Sequence, residues 1–153
     1  MTESRPFAAG GVDAVLRTEA VRLARACDPR LVPVEMHARS ELAAATSIDE
    51  LDVWSFVFVA SDGSSAVITW ERAHGFRPVE RFDFSWSSVR EAAPLPDAPL
   101  QEAIEALRPL HGTTPFESVA LLRNGPQFEY VFLLADGEVA TIGSSEVCCA
   151  VTG

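Results

Sequence analysis

No lysine occurs anywhere in this chain; all 12 of its basic side chains are arginine. A Schiff-base amine, a lysine general base and the lysine of a phosphate-binding loop are therefore excluded. Cysteine is scarce, and the three present, Cys27, Cys148 and Cys149, are an odd number that does not describe a disulfide framework. Cys27 falls on the apolar side of a predicted helix and is expected in the core. No apolar run approaches the ~20 residues needed to span a bilayer. The amino terminus, MTESRPFAAGGVDAV, has no basic stretch followed by an apolar core, so no signal peptide is expected and the location is read as cytoplasmic. Also missing are a phosphate-binding glycine loop, a dinucleotide fingerprint, a nucleophile elbow and a paired-histidine zinc helix.

Positive charge is short overall. The formal net charge is −10 and the pI about 4.6. A nucleic-acid groove needs a basic stripe, and an anionic membrane surface attracts one; neither partner suits this chain. The acid is uneven. From residue 45 to 71 stand Asp49, Glu50, Asp52, Asp62 and Glu71 with no arginine among them.

What the chain does have is an echo. WSFVFVASDGSSAVI, from Trp54 to Ile68, returns 74 residues later as FEYVFLLADGEVATI, from Phe128 to Ile142. In that register Val57 meets Val131, Phe58 meets Phe132, Asp62-Gly63 meets Asp136-Gly137, and Ile68 meets Ile142. Each copy reads as a β-hairpin around a two-residue Asp-Gly loop, expected as a type I′ turn because that turn matches the twist of paired strands. Both faces of these strands are apolar: Trp54, Phe56 and Phe58 on one, Val57 and Val59 on the other. A sheet of this kind needs cover on both sides, or cover on one side and a partner on the other.

The rest of the chain supports the same plan. Val12, Leu16, Ala20, Leu23 and Cys27 fall at helical spacing, and Asp28-Pro29 ends that helix. LVPVEMHARS alternates like a strand, with Pro33 fitting only an edge or a strand's beginning. A short helical turn is expected in ELAAATSIDELD, and a third strand from Val79 to Trp86. A second helix, PLQEAIEALRPL, follows a proline-rich connection; Asp97 is placed to cap it, and Pro109 and Gly112 to close it. Turns at Asn124-Gly125 and Asp136-Gly137 give a second meander, and EVCCAV reads as a last strand. The fold class is α+β. Two helix-plus-antiparallel-meander units, about residues 11–90 and 97–153, form one domain with a mainly antiparallel sheet packed by helices.

Catalytic signals are weak. His37, His74 and His111 have no evident nucleophile or ligand set beside them, and neither a metal nor a cofactor is expected. His74 with Arg72 and Glu71 is the one polar group that a small-molecule or enzymatic pocket would use. The acid around Asp49, Glu50, Asp52 and Glu71, with Trp70 as an aromatic anchor, is the candidate partner-binding region.

The tryptophan-bearing hairpin, the acidic helix and the segment PFESVALLRNGPQFEYVFLLADG together resemble the small acidic immunity proteins of bacterial toxin systems, the YezG-like kind, over roughly residues 50 to 137. The 74-residue repeat is similar to tandem helix-plus-meander modules of the PepSY-like or β-lactamase-inhibitor-like type. Both resemblances imply a binding protein that neutralises or regulates a protein partner. The charge is compatible with a basic toxin domain, since long-range attraction speeds association. The expected function is thus a cytoplasmic immunity or inhibitor protein. The alternatives are a small-molecule-binding or enzymatic α+β domain, and a homodimer closed over the second sheet face.

Overall fold

A computed structural model describes residues 11–82 and 94–143 of the chain. The expected amino-terminal arm, the aromatic residues Phe84 and Trp86, most of the connection to the second helix and the strand EVCCAV with Cys148 and Cys149 lie outside the described residues.

Helix α1 spans Gly11–Cys27 and helix α2 spans Leu100–His111. The strands are β1 (Val32–Arg39), β2 (Val53–Val59), β3 (Ser65–Glu71), β4 (Gly75–Phe76), β5 (Glu80–Phe82), β6 (Phe116–Asn124), β7 (Gln127–Leu134) and β8 (Val139–Gly143). A single 3-10 turn, Ile48–Glu50, lies between β1 and β2. All strand pairs are antiparallel, in the order β4-β3-β2-β1-β6-β7-β8, with β5 also pairing β3. The protein is therefore α+β, with eight strands in one sheet and two helices packed on it. The third strand of the first meander is broken in two: β4 pairs Trp70 and Glu71, and β5 pairs Ser65 to Val67.

The register explains the echo. Trp54 opposes Trp70 and Phe58 opposes Ala66 in the first hairpin; Phe132 opposes Ala140 and Tyr130 opposes Ile142 in the second, which is the same register 74 residues on. The two meanders meet through β1 and β6, where Met36 faces Leu121. Met36 pairs with Phe56 and Leu121 with Tyr130, so these two residues hold equivalent places in their meanders. A local two-fold axis normal to the sheet passes between them. Such an axis leaves both helices on one face, and both pack there: Leu16, Ala20 and Ala24 of α1 share a core with Leu100, Ala103, Ile104 and Leu107 of α2. The sheet supplies the aromatic half of that core, with Trp54, Phe56, Phe58, Phe116, Tyr130 and Phe132 fully buried.

Two details differ from expectation in the hairpin turns. Neither Asp62 nor Asp136 has a positive φ; only Gly63 (φ 91°) and Gly137 (φ 92°) do. Ala60 N–H donates to Ser64 O, and Gly63 N–H to Ala60 O, so the loop holds three residues, Ser61 to Gly63. Leu134, Gly137 and Glu138 repeat the pattern. This is a turn followed by a left-handed glycine rather than the type I′ turn expected. The aspartates decide it: Asp62 Oδ1 accepts from Ser64 N–H and Asp136 Oδ1 from Glu138 N–H, both at 3.0 Å, which holds each aspartate in an Asx turn at negative φ.

Helix α2 is not capped by Asp97. Its first residue is preceded by Pro99, which makes no side-chain cap, and the Asp97 side chain is fully exposed. The cap comes from the other helix: Leu100 N–H donates to Asp13 Oδ2 at 2.9 Å across 87 residues of sequence. Asp13 is buried in the first turn of α1, so the positive ends of both helix dipoles converge on one carboxylate. Burial pushes its pKa up; the Leu100 N–H, the N–H groups of Asp13 and Ala14, and Arg17 pull in the opposite direction. Nearby, the buried Tyr130 hydroxyl donates to Ala98 O, and Arg17 donates to Pro96 O at 2.9 Å. Burial, then the Asp13 charge, push the Tyr130 pKa up. This polar joint ties the residue 94–99 segment to both helices.

Other expectations shift by a residue or two. Cys27, expected in the core, is exposed at the last position of α1. Leu31 is fully buried just beyond the helix end, and Asp28 is buried with it. Helix α2 continues through Pro109 to His111 and is closed by Gly112 at φ 61°, so Gly112 rather than Pro109 ends it. Pro33 stands at the beginning of β1 as expected, though β1 is central; β6 joins β1 only from Met36, so the missing N–H falls outside that ladder.

Candidate functional site

The candidate acid gathers at the end of the sheet where β1 leaves and β2 enters. Between Arg39 and Val53 the chain makes an excursion that has no counterpart in the second meander, where Asn124 pairs directly with Gln127. The excursion is pinned by backbone pairing of Ala45 with Phe116, at 2.8 Å both ways, and by a buried Leu51. Arg72 is its organising cation. The Arg72 guanidinium donates to Asp52 Oδ1 (3.1 Å), Leu51 O (2.9 Å) and Asp49 O, and stands 5.9 Å from the centre of the Trp70 ring. Asp52 Oδ2 also accepts from Glu41 N–H at 3.0 Å. That backbone donor, followed by Arg72, holds the Asp52 carboxyl below its ordinary pKa. Glu50 accepts from the N–H (2.6 Å) and hydroxyl (3.0 Å) of Thr46, which lower its pKa likewise.

Asp52 by its carboxylate, Asp49 by its backbone carbonyl and Trp70 by its ring thus gather around Arg72, with Trp70 half-buried against the main core, while Glu50 is held by Thr46. Glu71 is not among them. Strand alternation turns it to the opposite face, where Arg77 donates to it at 3.2 Å. The same alternation separates Arg72 from Glu71, so these two and the exposed turn residue His74 do not form a polar pocket; His74 meets Glu71 only through its backbone N–H. His37 pairs with Glu35 at 2.9 Å, and His111 lies half-buried at the end of α2. No group of three metal-ligating side chains occurs among the described residues.

A second surface, on the face opposite the helices, is the one that the candidate residues missed. On the β1–β3 half Val34, Val57, Val59 and Val67 form a small cluster of their own. On the β6–β8 half Ala120, Leu122 and Val131 are half-buried, Leu133 is 37 % exposed and Val139 61 % exposed. No described element lies over this half. A shallow groove of about 330 Å³ runs between the strands here, lined by His37, Arg39, Val53, Ser55, Leu122 and Leu133 among others. The rows across it follow from pairing: Arg39 beside Ser118 and then Leu133, His37 beside Ala120 and then Val131. The signal for this surface was present in the apolar second faces of both hairpins.

Fold and site together define an α+β protein whose two described helices share one sheet face, with no helix on the other among the described residues. No family model matches the chain, and no curated protein matches it. Among solved structures, a candidate lipoprotein from Clostridium difficile 630 superposes with a TM-score of 0.56 over 83 % of this chain and 91 % of that one, at 13 % identity. At that identity the likeness is one of fold.

Proposed function

We propose that this chain is an inhibitor or immunity-type binding protein of the cytoplasm, which docks a partner protein on its helix-free sheet face and occludes it. The observation that carries the reading is the exposed aliphatic surface of β6, β7 and β8, with Leu133 and Val139 open at its centre and edge. Solvent-facing strands of a half-covered sheet usually alternate to polar residues, and contiguous aliphatic surface of this kind marks association. A net charge of −10 favours a basic partner, such as a toxin's catalytic domain, by steering encounter at long range. The acid around Arg72 contributes to that field rather than to direct anchoring, because Asp52 and Glu50 already hold internal donors.

The test is binding to the product of the adjacent gene, expressed in an inactive form and measured by calorimetry and stopped flow. A one-to-one complex is expected, with an association rate that falls steeply between about 50 and about 500 mM salt. Leu133→Arg is expected to weaken the complex about tenfold or more, the loss typical of one interface anchor. Unchanged affinity in both Leu133→Arg and Val139→Arg would overturn the docking face. A salt-independent association rate would remove the electrostatic component.

A further inference from the structure

We infer that the groove beside Arg39 is shaped for one kind of anchor on that partner: a glutamate or aspartate flanked by aliphatic residues. The inference rests on the docking reading above and specifies its chemistry. Most arginines of the described chain are already engaged. Arg17, Arg22, Arg30, Arg72, Arg77 and Arg81 each lie against a carboxylate. Arg108 and Arg123 donate to backbone carbonyls. Arg39 does neither. It is exposed, no described carboxylate lies within ion-pair distance of it, and Asp52, the carboxylate its charge reaches, is held by Arg72 and Glu41 N–H.

Its surroundings on this face are graded. Next to Arg39 across the strands is Ser118, whose hydroxyl can add a donor, and beyond it Leu133. One row further in, His37 stands beside Ala120 and Val131. A guanidinium at the rim of an aliphatic floor matches a carboxylate on a short aliphatic arm, since arginine pairs carboxylates in a fixed two-pronged geometry. A basic anchor meets the opposite situation: it would bring a second cation against Arg39 with no carboxylate among the lining residues, since Glu35 on β1 is held by His37 and Glu129, across from Leu122, by Asn124. The chain is acidic overall, with a net charge of −10, while the lining of this groove carries Arg39 and no carboxylate. A basic partner is drawn in by the whole and seated by an acidic residue at the centre.

The probes are three capped tripeptides, acetyl-Leu-Glu-Leu-amide, its Gln form and its Lys form, each titrated at millimolar concentration into the labelled full chain and followed by amide chemical shifts. The Glu peptide is expected to move Arg39, Ala120, Leu122, Val131 and Leu133. Its affinity is expected to exceed that of the Lys peptide by roughly three- to tenfold, the range for one solvent-facing ion pair with good geometry. Arg39→Gln is expected to erase that preference. Equal shifts from all three peptides, shifts confined to another surface, or a Glu preference that survives Arg39→Gln each overturn the inference. In the partner complex the two ideas part company. If Leu133→Arg breaks the complex and Arg39→Gln leaves it intact, docking on this face stands and the acidic anchor falls. If Leu133→Arg and Val139→Arg both leave affinity unchanged, the docking reading itself falls.

Discussion

Removing the Asp13 carboxylate should loosen both helices at once. In Asp13→Ala the buried Leu100 N–H loses its acceptor at the start of α2, and the first turn of α1 loses the negative charge at its positive end. An unsatisfied buried donor costs about 1–3 kcal/mol, and a lost helix cap about 1 kcal/mol. The two figures overlap because they describe the same N–H, so the expected loss is about 1.5–3 kcal/mol. For a chain of this size each kcal/mol moves the melting temperature by roughly 2–4 °C, giving a fall of about 3–12 °C. Asp13→Asn keeps one oxygen for Leu100 and should lie between wild type and Asp13→Ala.

The pH dependence separates charge from hydrogen bonding. Burial raises the Asp13 pKa above its unfolded value. A raised carboxyl pKa contributes stability that is fully present below the unfolded pKa and lost as pH rises through the folded one. Relative to Asp13→Asn, the wild type should therefore gain stability as the solution is acidified through the carboxylate range. Melting curves by circular dichroism, recorded for the three proteins from neutral pH to about pH 4, read both effects. An Asp13→Ala protein as stable as wild type would refute the capping argument. A wild-type minus Asp13→Asn difference that shrinks on acidification would refute the burial argument.

Two further outcomes follow from the turns and the charged hairpin tip. Gly137→Ala places a side chain in open space but at φ 92°, so the cost is purely one of backbone conformation, about 1–2 kcal/mol; an unchanged melting temperature would count against the left-handed turn. Asp28 accepts from Arg30 at 2.9–3.0 Å and from Arg81 at 3.4 Å, and the Arg30 side chain holds its pKa far below the usual carboxylate range. That stability is present above the unfolded pKa and lost as pH falls, so Asp28→Asn should flatten the acid limb of the stability profile; an unaltered limb in a denaturant titration would contradict it.

Much of this architecture could be read before any coordinates. The hairpins were placed to within a residue because period-two alternation and Asp-Gly punctuation are local signals. Both helices and the antiparallel meanders followed from the same kind of evidence. Some errors fall where a distant residue decides, others where two local signals compete. Asp97 looks like the cap of α2 by position, yet Asp13 takes that place from 87 residues away. The turn type depended on an Asx hydrogen bond that competes with positive φ, and Cys27 on whether the core reaches the helix's last residue. At the candidate site, the cluster Asp49 to Asp52 was visible as acid, but not as a chain segment held by Arg72 from the turn after β3. Arg39 carried no local mark at all; its distinction is its place at the rim of the aliphatic groove, which only the fold displays.

The two-fold relation through Met36 and Leu121 also bears on stoichiometry. Two identical units joined this way would present every surface feature twice, once at each end of the sheet. Here both units belong to one polypeptide, and only the first carries the excursion from Ser40 to Asp52. Its descent past Arg39 gives one end of the helix-free face a cationic rim, while at the other end Asn124, Gly125 and Gln127 close in a bare turn. Under the docking proposal, a fold with the framework of a symmetric pair offers a single polarised seat, and its complexes should contain one partner for each chain.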